Sequence, residues 1–102
     1  MKFFISIFIT AAILLFSGTT YADSCEQASY FYNKGQYRSA RTMLDPLVLK
    51  GEACAEYYMG LMYESGSGVT KNEKNRKKGV KLIESAMEKG YPAAIKFMNS
   101  YH

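Results

Sequence analysis

Beyond residue 23 the apolar positions recur at spacings of three, four and seven, the period of a helix with one buried face, and runs of β-branched residues are few. Glycines punctuate this pattern and so mark where helices stop. A first helix is expected from about Ser24 to Lys34, with Ala28, Phe31 and Tyr32 on one face, Ser24 as its N-cap and Gly35 just past its end. A second begins near Gln36 with Tyr37, Ala40, Met43 and Leu44 along one side; Asp45-Pro46 should kink or stop it, leaving Leu47 to Lys50 as a last turn before Gly51. A third spans about Ala53 to Ser65 with Ala55, Met59, Met62 and Tyr63 inward. Gly60 lies inside that helix, at a cost of roughly 1 kcal/mol relative to alanine, which implies another helix packed closely there. After a Ser65-Gly66-Ser67-Gly68 turn and a polar loop from Thr70 to Asn75, a fourth helix is read over about Asn75 to Lys89. Its buried stripe is Val80, Leu82, Ile83, Ala86 and Met87, and Gly90 ends it. Pro92 suits the first turn of a fifth, with Ala94, Phe97 and Met98 covering the core and Tyr101 and His102 at the frayed end.

The first 22 residues follow another rule. Lys2 precedes an uncharged apolar run from Phe3 to Phe16, then Ser17, Gly18, Thr19, Thr20, Tyr21 and Ala22, the pattern of a secretory signal peptide cleaved after Ala22. The apolar run is 14 residues, against the roughly 20 needed to span a bilayer. The expected product is residues 23–102, a single small domain, periplasmic or secreted, without a stable membrane span.

Removing the leader changes the composition. The whole chain is 48% hydrophobic, but much of that lies in the leader, and what remains is near the size at which one core barely suffices. Its charge balance is mildly positive. Cys25 and Cys54 both survive cleavage and allow one intramolecular pairing, which in the chain-entropy model would stabilise the fold by roughly 3–4 kcal/mol. The alternative is two buried or unpaired thiols. Ala22, Asp23 and Ser24 before Cys25 do not match a lipoprotein processing site, which favours a soluble product.

A longer period underlies the helices. Tyr32-Asn33-Lys34-Gly35 aligns with Tyr63-Glu64-Ser65-Gly66, superposing two helix–turn–helix units 31 residues apart. The segment from Ala53 to Val69, with Ala55, Met59, Gly60, Tyr63, Gly66, Gly68 and Val69, resembles the Sel-1-like repeat, a relative of the tetratricopeptide repeat. Glu84 to Gly90, including Ala86, followed by Ala93-Ala94, is similar to the end of one unit and the start of the next; Asp45 to Gly51 is similar to the segment that precedes a full unit. The loop after Val69 is longer than usual for the family, Gly79 stands where alanine is expected, and Leu82 where an aromatic is common. The resemblance implies an all-α fold, a short α-solenoid of antiparallel helix pairs. Unit one would cover about 24–51, unit two about 53–90 and a capping helix about 92–101. It also implies that a Cys25–Cys54 bridge would staple unit one to unit two, whose first helices would lie side by side and parallel.

Catalytic constellations are missing from the sequence. The single histidine is the last residue, no serine is followed three residues on by lysine, and no cluster has metal-ligand spacing. Gly66-Ser67-Gly68 lacks the lysine and helix of a nucleotide loop and is explained as a turn. The chain is therefore read as no enzyme, with no cofactor and no metal. The strongest local charge signal is Lys71, Lys74, Arg76, Lys77, Lys78 and Lys81, opposed only by Glu73: either a solvated surface or a docking patch for an acidic partner, an anionic lipid surface or a cell-wall polymer. Tyr30 and Tyr58, about one repeat apart, are the first candidates for a partner-binding face, with an ordinary amphipathic rim as the plain alternative.

These features lead to the expectation of an exported, non-catalytic module that binds another protein or a peptide through a helical-repeat surface. An inhibitor or immunity-type protein acting on an enzyme or toxin in the cell envelope is the first alternative, and a cell-wall glycan binder or enzyme the second. Nucleic acid is not expected as a partner; weak self-association through the open ends of the stack is left open.

Overall fold

The computed structural model describes residues 20–101 and places five helices there: α1 (Thr20–Asn33), α2 (Tyr37–Leu49), α3 (Ala53–Ser65), α4 (Glu73–Glu88) and α5 (Pro92–Ser100), with no strand among the described residues. Most of the segment read as an export leader, and His102, lie outside these residues. Thr20 to Ala22 form the start of α1, so Ser24 is inside the helix and does not cap it. No glycine or proline between Thr20 and Ser24 stops the helix from extending upstream.

Three of the four connections are the same joint. The Gln36 amide donates to the Phe31 carbonyl and the Gly35 amide to that of Tyr32; Glu52 and Gly51 do the same toward Leu47 and Val48, and Tyr91 and Gly90 toward Ala86 and Met87. This is the Schellman pattern, which needs a left-handed residue, and Gly35, Gly51 and Gly90 supply φ of 77, 80 and 84°. The residue after each glycine serves at once as the N-cap of the next helix. Gln36, Glu52 and Tyr91 make no side-chain cap bond there, and the backbone geometry of the joint sets the turn.

Two predicted boundaries are corrected. Pro46 does not stop α2, which continues to Leu49. Proline deprives the Thr42 carbonyl of its donor, but Asp45 and Pro46 face solvent while Leu44 and Leu47 are buried beneath, so packing holds the helix through a break that water can satisfy. The expected loop from Thr70 to Asn75 ends early, because the Asn72 side chain accepts from the Asn75 amide at 2.8 Å and caps a helix that begins at Glu73.

The central element is α3. Ala55, Met59 and Met62 pack with Ala28, Ala40, Leu44 and Leu47 of α1 and α2, while Ala53, Tyr57 and Leu61 turn toward Ile83, Ala86 and Ala94 of α4 and α5. A helix used on both sides is apolar nearly all round, as its sequence is. Its tightest contact is with α4. A Cβ on Gly60 would lie 2.6 Å from Ile83 Cγ1 and 2.8 Å from the Gly79 carbonyl oxygen; a Cβ on Gly79 would lie about 2.5 Å from the Gly60 carbonyl oxygen and closer still to the Glu64 amide nitrogen. The close approach expected at Gly60 is thus present, and its counterpart is Gly79.

Polar bonds continue that contact in opposite sense along the two helices. Glu56, only 7% exposed, accepts from Ser85 Oγ and from Lys89 Nζ, each at 2.9 Å, and Lys89 also donates to the Gly51 carbonyl. Every buried side-chain polar atom among the described residues is bonded. The C-terminal end is also held: Tyr101 stacks on Phe97 and its hydroxyl accepts from Arg76 at the start of α4, so it is not frayed.

Cys25 and Cys54 form a disulfide, with Cα atoms 6.5 Å apart. It joins α1 to α3, which otherwise touch over a small area through rings such as Tyr32 and Tyr58. Both contacts occur in the same order along the two helices. Cys54 is the second residue of α3, whereas Cys25 lies more than a turn into α1, later than a helix beginning at Ser24 would have it.

Two stability outcomes follow. Gly79→Ala should gain about 1 kcal/mol of helix propensity yet lose more, because the added methyl meets backbone atoms that cannot rotate away; a net destabilisation of about 1–3 kcal/mol by urea titration is expected. A variant as stable as the unaltered protein would mean that α3 and α4 separate freely. Replacing both cysteines by serine should cost about 2–4 kcal/mol, read as a lower melting temperature under non-reducing conditions.

Candidate functional site

Between α2 and α4, above α3, lies a groove made of two depressions that meet at Tyr63 and Lys78. The larger, about 750 Å³, is lined by Arg41, Tyr63, Gly68, Val69, Thr70, Lys74, Asn75 and Lys78. The smaller, about 370 Å³, is lined by Asp45, Val48, Leu49, Met59, Tyr63, Lys78 and Leu82. One end of the groove is therefore cationic and the other mainly apolar.

Local sequence explains the cationic end. Lys74 and Lys78 are one helical turn apart on α4 and so share a face. Lys78 Nζ sits 4.5 Å above the centre of the Tyr63 ring and the Arg41 guanidinium 5.8 Å from it. Each also directs a donor at the Tyr63 hydroxyl, both at 3.4 Å. With its oxygen facing two cations, Tyr63 keeps its own O–H to offer outward. The loop beside it is held by Asn75 Nδ2, which donates to the Thr70 carbonyl at 2.8 Å. Gly68, at φ 74°, lies against Tyr37 and Met62 and lets the loop run close over the end of the first core. No carboxylate lines this end.

At the apolar end Leu49 is 89% exposed, beside half-buried Val48 and Leu82. Leu49 is the most exposed large aliphatic side chain among the described residues. It is held there because Leu47, two positions back, takes the buried face.

The basic run does not act as one patch. Lys74 and Lys78 face the groove, whereas Lys77 and Lys81 point to solvent from α4. Arg76 turns away to bond Glu73 and Tyr101. Its guanidinium holds the Glu73 carboxyl below its ordinary pKa, first by hydrogen bonding and then by charge, and Glu73 in turn raises that of Arg76. Lys71 is exposed, with its stem against Gly66, the left-handed residue that closes α3.

Nor are Tyr30 and Tyr58 brought together. Tyr30 is 56% exposed, edge-on to Phe31 and under Lys34 Nζ at 5.3 Å. Tyr32, two residues later and so nearly opposite on the helix, meets Tyr58 instead. Tyr58 belongs to an aromatic chain in which Tyr37, Tyr32, Tyr58, Tyr57 and Tyr91 follow one another with ring centres 5.2–5.7 Å apart. A further depression of about 230 Å³ beside the disulfide is lined by Cys25, Glu26, Ser29, Cys54, Tyr58 and Tyr91. Of the family-motif positions, Ala55, Met59, Gly60 and Ala86 are buried and Val69 is half-buried, while Gly66, Gly68 and Gly90 have left-handed backbones. Tyr63 is the floor of the groove.

Among the described residues no three His, Cys, Asp or Glu side chains are placed to hold a metal ion, and no helix is long and apolar enough to cross a membrane. Comparison with protein-family models, curated proteins and solved structures finds no match.

Sequence reasoning missed Arg41, Leu49 and Leu82 as groove residues. Arg41 and Leu49 flank the predicted inward face of α2, and only the position of α4 gives them a common neighbour.

The tyrosine chain yields a pH dependence. Burial, aided by neighbouring phenols, raises the pKa of Tyr32, Tyr57 and Tyr91 above the ordinary phenol value near 10. Their contribution to stability is fully present below pH 10. Above it the unfolded chain ionises first, so stability falls as pH rises toward the folded-state values. Phenolate absorbance should show a fraction of the tyrosines titrating later in the folded than in the denatured protein, with the melting temperature dropping over the same range; coincident titrations would contradict the buried chain.

Proposed function

We propose that this chain is an exported, non-catalytic interaction module that binds a protein or peptide partner, built as a short Sel-1-like stack of antiparallel helix pairs. The observation that carries the binding role is the continuous groove across α2, α3 and α4, cationic at one end and apolar at the other, with Tyr63 and Lys78 at the junction. Such a surface can take a chain laid along it, and its donors and exposed aliphatic groups have no reacting group among them.

Three observations support the architectural half of this reading. The first helices of the proposed units, α1 and α3, both end on a left-handed glycine, Gly35 and Gly66, at the 31-residue period. Successive helices pack on one another in chain order, with α1 also touching α3. The Glu56–Lys89 bond and the close approach of Gly60 to Gly79 and Ile83 run in opposite sense along α3 and α4, as in an antiparallel pair. Stacked pairs keep a fixed concave surface, so binding should involve little backbone change. A disulfide-linked pair is compatible with an oxidising compartment, which supports export.

The experiment is affinity capture from envelope extract with the oxidised protein, comparing the unaltered chain with Leu49→Glu. A defined protein retained by the first and lost by the second is expected. Retention of nothing, or of the same protein by both, would count against the groove as the binding surface.

A further inference from the structure

The groove also specifies what it binds. We infer that it takes a peptide segment in which a stretch of acidic side chains adjoins a stretch of apolar ones, the acids on Arg41, Lys74, Lys78 and the Tyr63 hydroxyl, the apolar part along Val48, Leu49 and Leu82. This rests on the binding-module reading and adds the chemistry of the partner.

Charge complementarity carries it. Two cations elsewhere in the fold meet carboxylates: Lys89 bonds Glu56 and Arg76 bonds Glu73. In the first depression Arg41, Lys74 and Lys78 converge with no carboxylate among its own lining residues, and two of them crowd one phenol oxygen. Like charges held together repel, and an anion entering the same depression relieves that repulsion. Every side-chain group at the centre of this end (two ammonium groups, a guanidinium and a phenol O–H) can donate to an anion. The adjoining depression has a more apolar character, since Val48, Leu49 and Leu82 offer contact area and no donor. Asp45, one helical turn from Arg41 on α2, lines this second depression, where it disfavours acidic side chains and so confines the acidic stretch to the first. Both depressions are open to solvent, which suits a chain laid across them more than an enclosed small molecule.

The test uses the oxidised full-length protein and fluorescein-labelled peptides. In one a short run of glutamates adjoins a short run of leucines; in a second the glutamates are glutamines; in a third the leucines are serines. Fluorescence anisotropy should show the first binding about tenfold or more tightly than either other peptide, with affinity falling as salt is raised. Arg41→Glu combined with Lys78→Glu should abolish this binding and create affinity for a lysine–leucine peptide. Circular dichroism establishes that the variant is folded, and Lys74→Glu, on an exposed side chain at the rim, serves as the milder second variant.

Equal binding of the glutamine peptide, or charge-reversed protein that still binds the glutamate peptide, would overturn the inference. So would preferential binding of anionic phosphatidylglycerol vesicles, which would assign the same cations to a lipid surface. If the charge-reversed protein captures the same envelope partner as the unaltered one, only the assignment of the groove fails. If neither the peptides nor any envelope protein bind, the module reading fails with it.

Discussion

The contact on which the rest of this fold depends is backbone against backbone. Gly60 and Gly79 bring α3 and α4 closer than any side chain would allow, with Ile83 seated over Gly60 and the Glu64 amide beside Gly79. Gaining that approach requires two glycines inside helices, each weakening its own helix by roughly 1 kcal/mol. What is gained is position. Tyr63 precedes Glu64 and Lys78 precedes Gly79, so the contact that sets the helix spacing also places the ammonium over the phenol ring and brings the two halves of the groove to a common junction.

The second constraint is the double use of α3. Its two sides belong to different clusters of buried residues, so neither α1 and α2 nor α4 and α5 bury their apolar faces without it. The joint between α3 and α4 is the one connection that departs from the repeated three-residue form. The longer loop there wraps over the end of α3, and Gly68 against Tyr37 ties it back to α2. At the opposite end of α3 the disulfide reinforces the sparse contact between α1 and α3. The tyrosine chain then runs from the start of α2 through α1 and α3 to the entry of α5, spanning both clusters.

Local features of this design were legible in the sequence. Glycine ends at Gly35, Gly51 and Gly90, the bounds of α3, Pro92 at the start of α5 and the close approach at Gly60 all follow from rules that act within a few residues. Pairings were not. Gly79 reads as a departure from a motif until Gly60 is set against it, and nothing near Glu56 in sequence points to Ser85 and Lys89, its partners on the next helix. Asn72 was hidden by the lysines around it, and Pro46 was overruled by the burial of leucines on either side. The basic run was legible as charge but not as geometry: a helix of such residues sends Lys74 and Lys78 one way and Arg76, Lys77 and Lys81 others. Periodicity locates faces, while the partner of each face is a tertiary fact.

That distinction bears on what the cations are for. A domain this small has little stability to spare, and uncompensated like charges reduce it further. Where this chain uses charge to hold itself together it supplies the carboxylate, partly buried at Glu56 and in the first turn of α4 at Glu73. Lys77 and Lys81 stand apart in solvent, whereas Arg41, Lys74 and Lys78 line one depression together. Asp45, one helical turn from Arg41, lines the second depression, and Glu64 sits next to Tyr63 in sequence yet turns its backbone to Gly79. A lysine and an arginine aimed at one phenol, with a further lysine beside them, make an arrangement whose mutual repulsion an anion from outside would relieve.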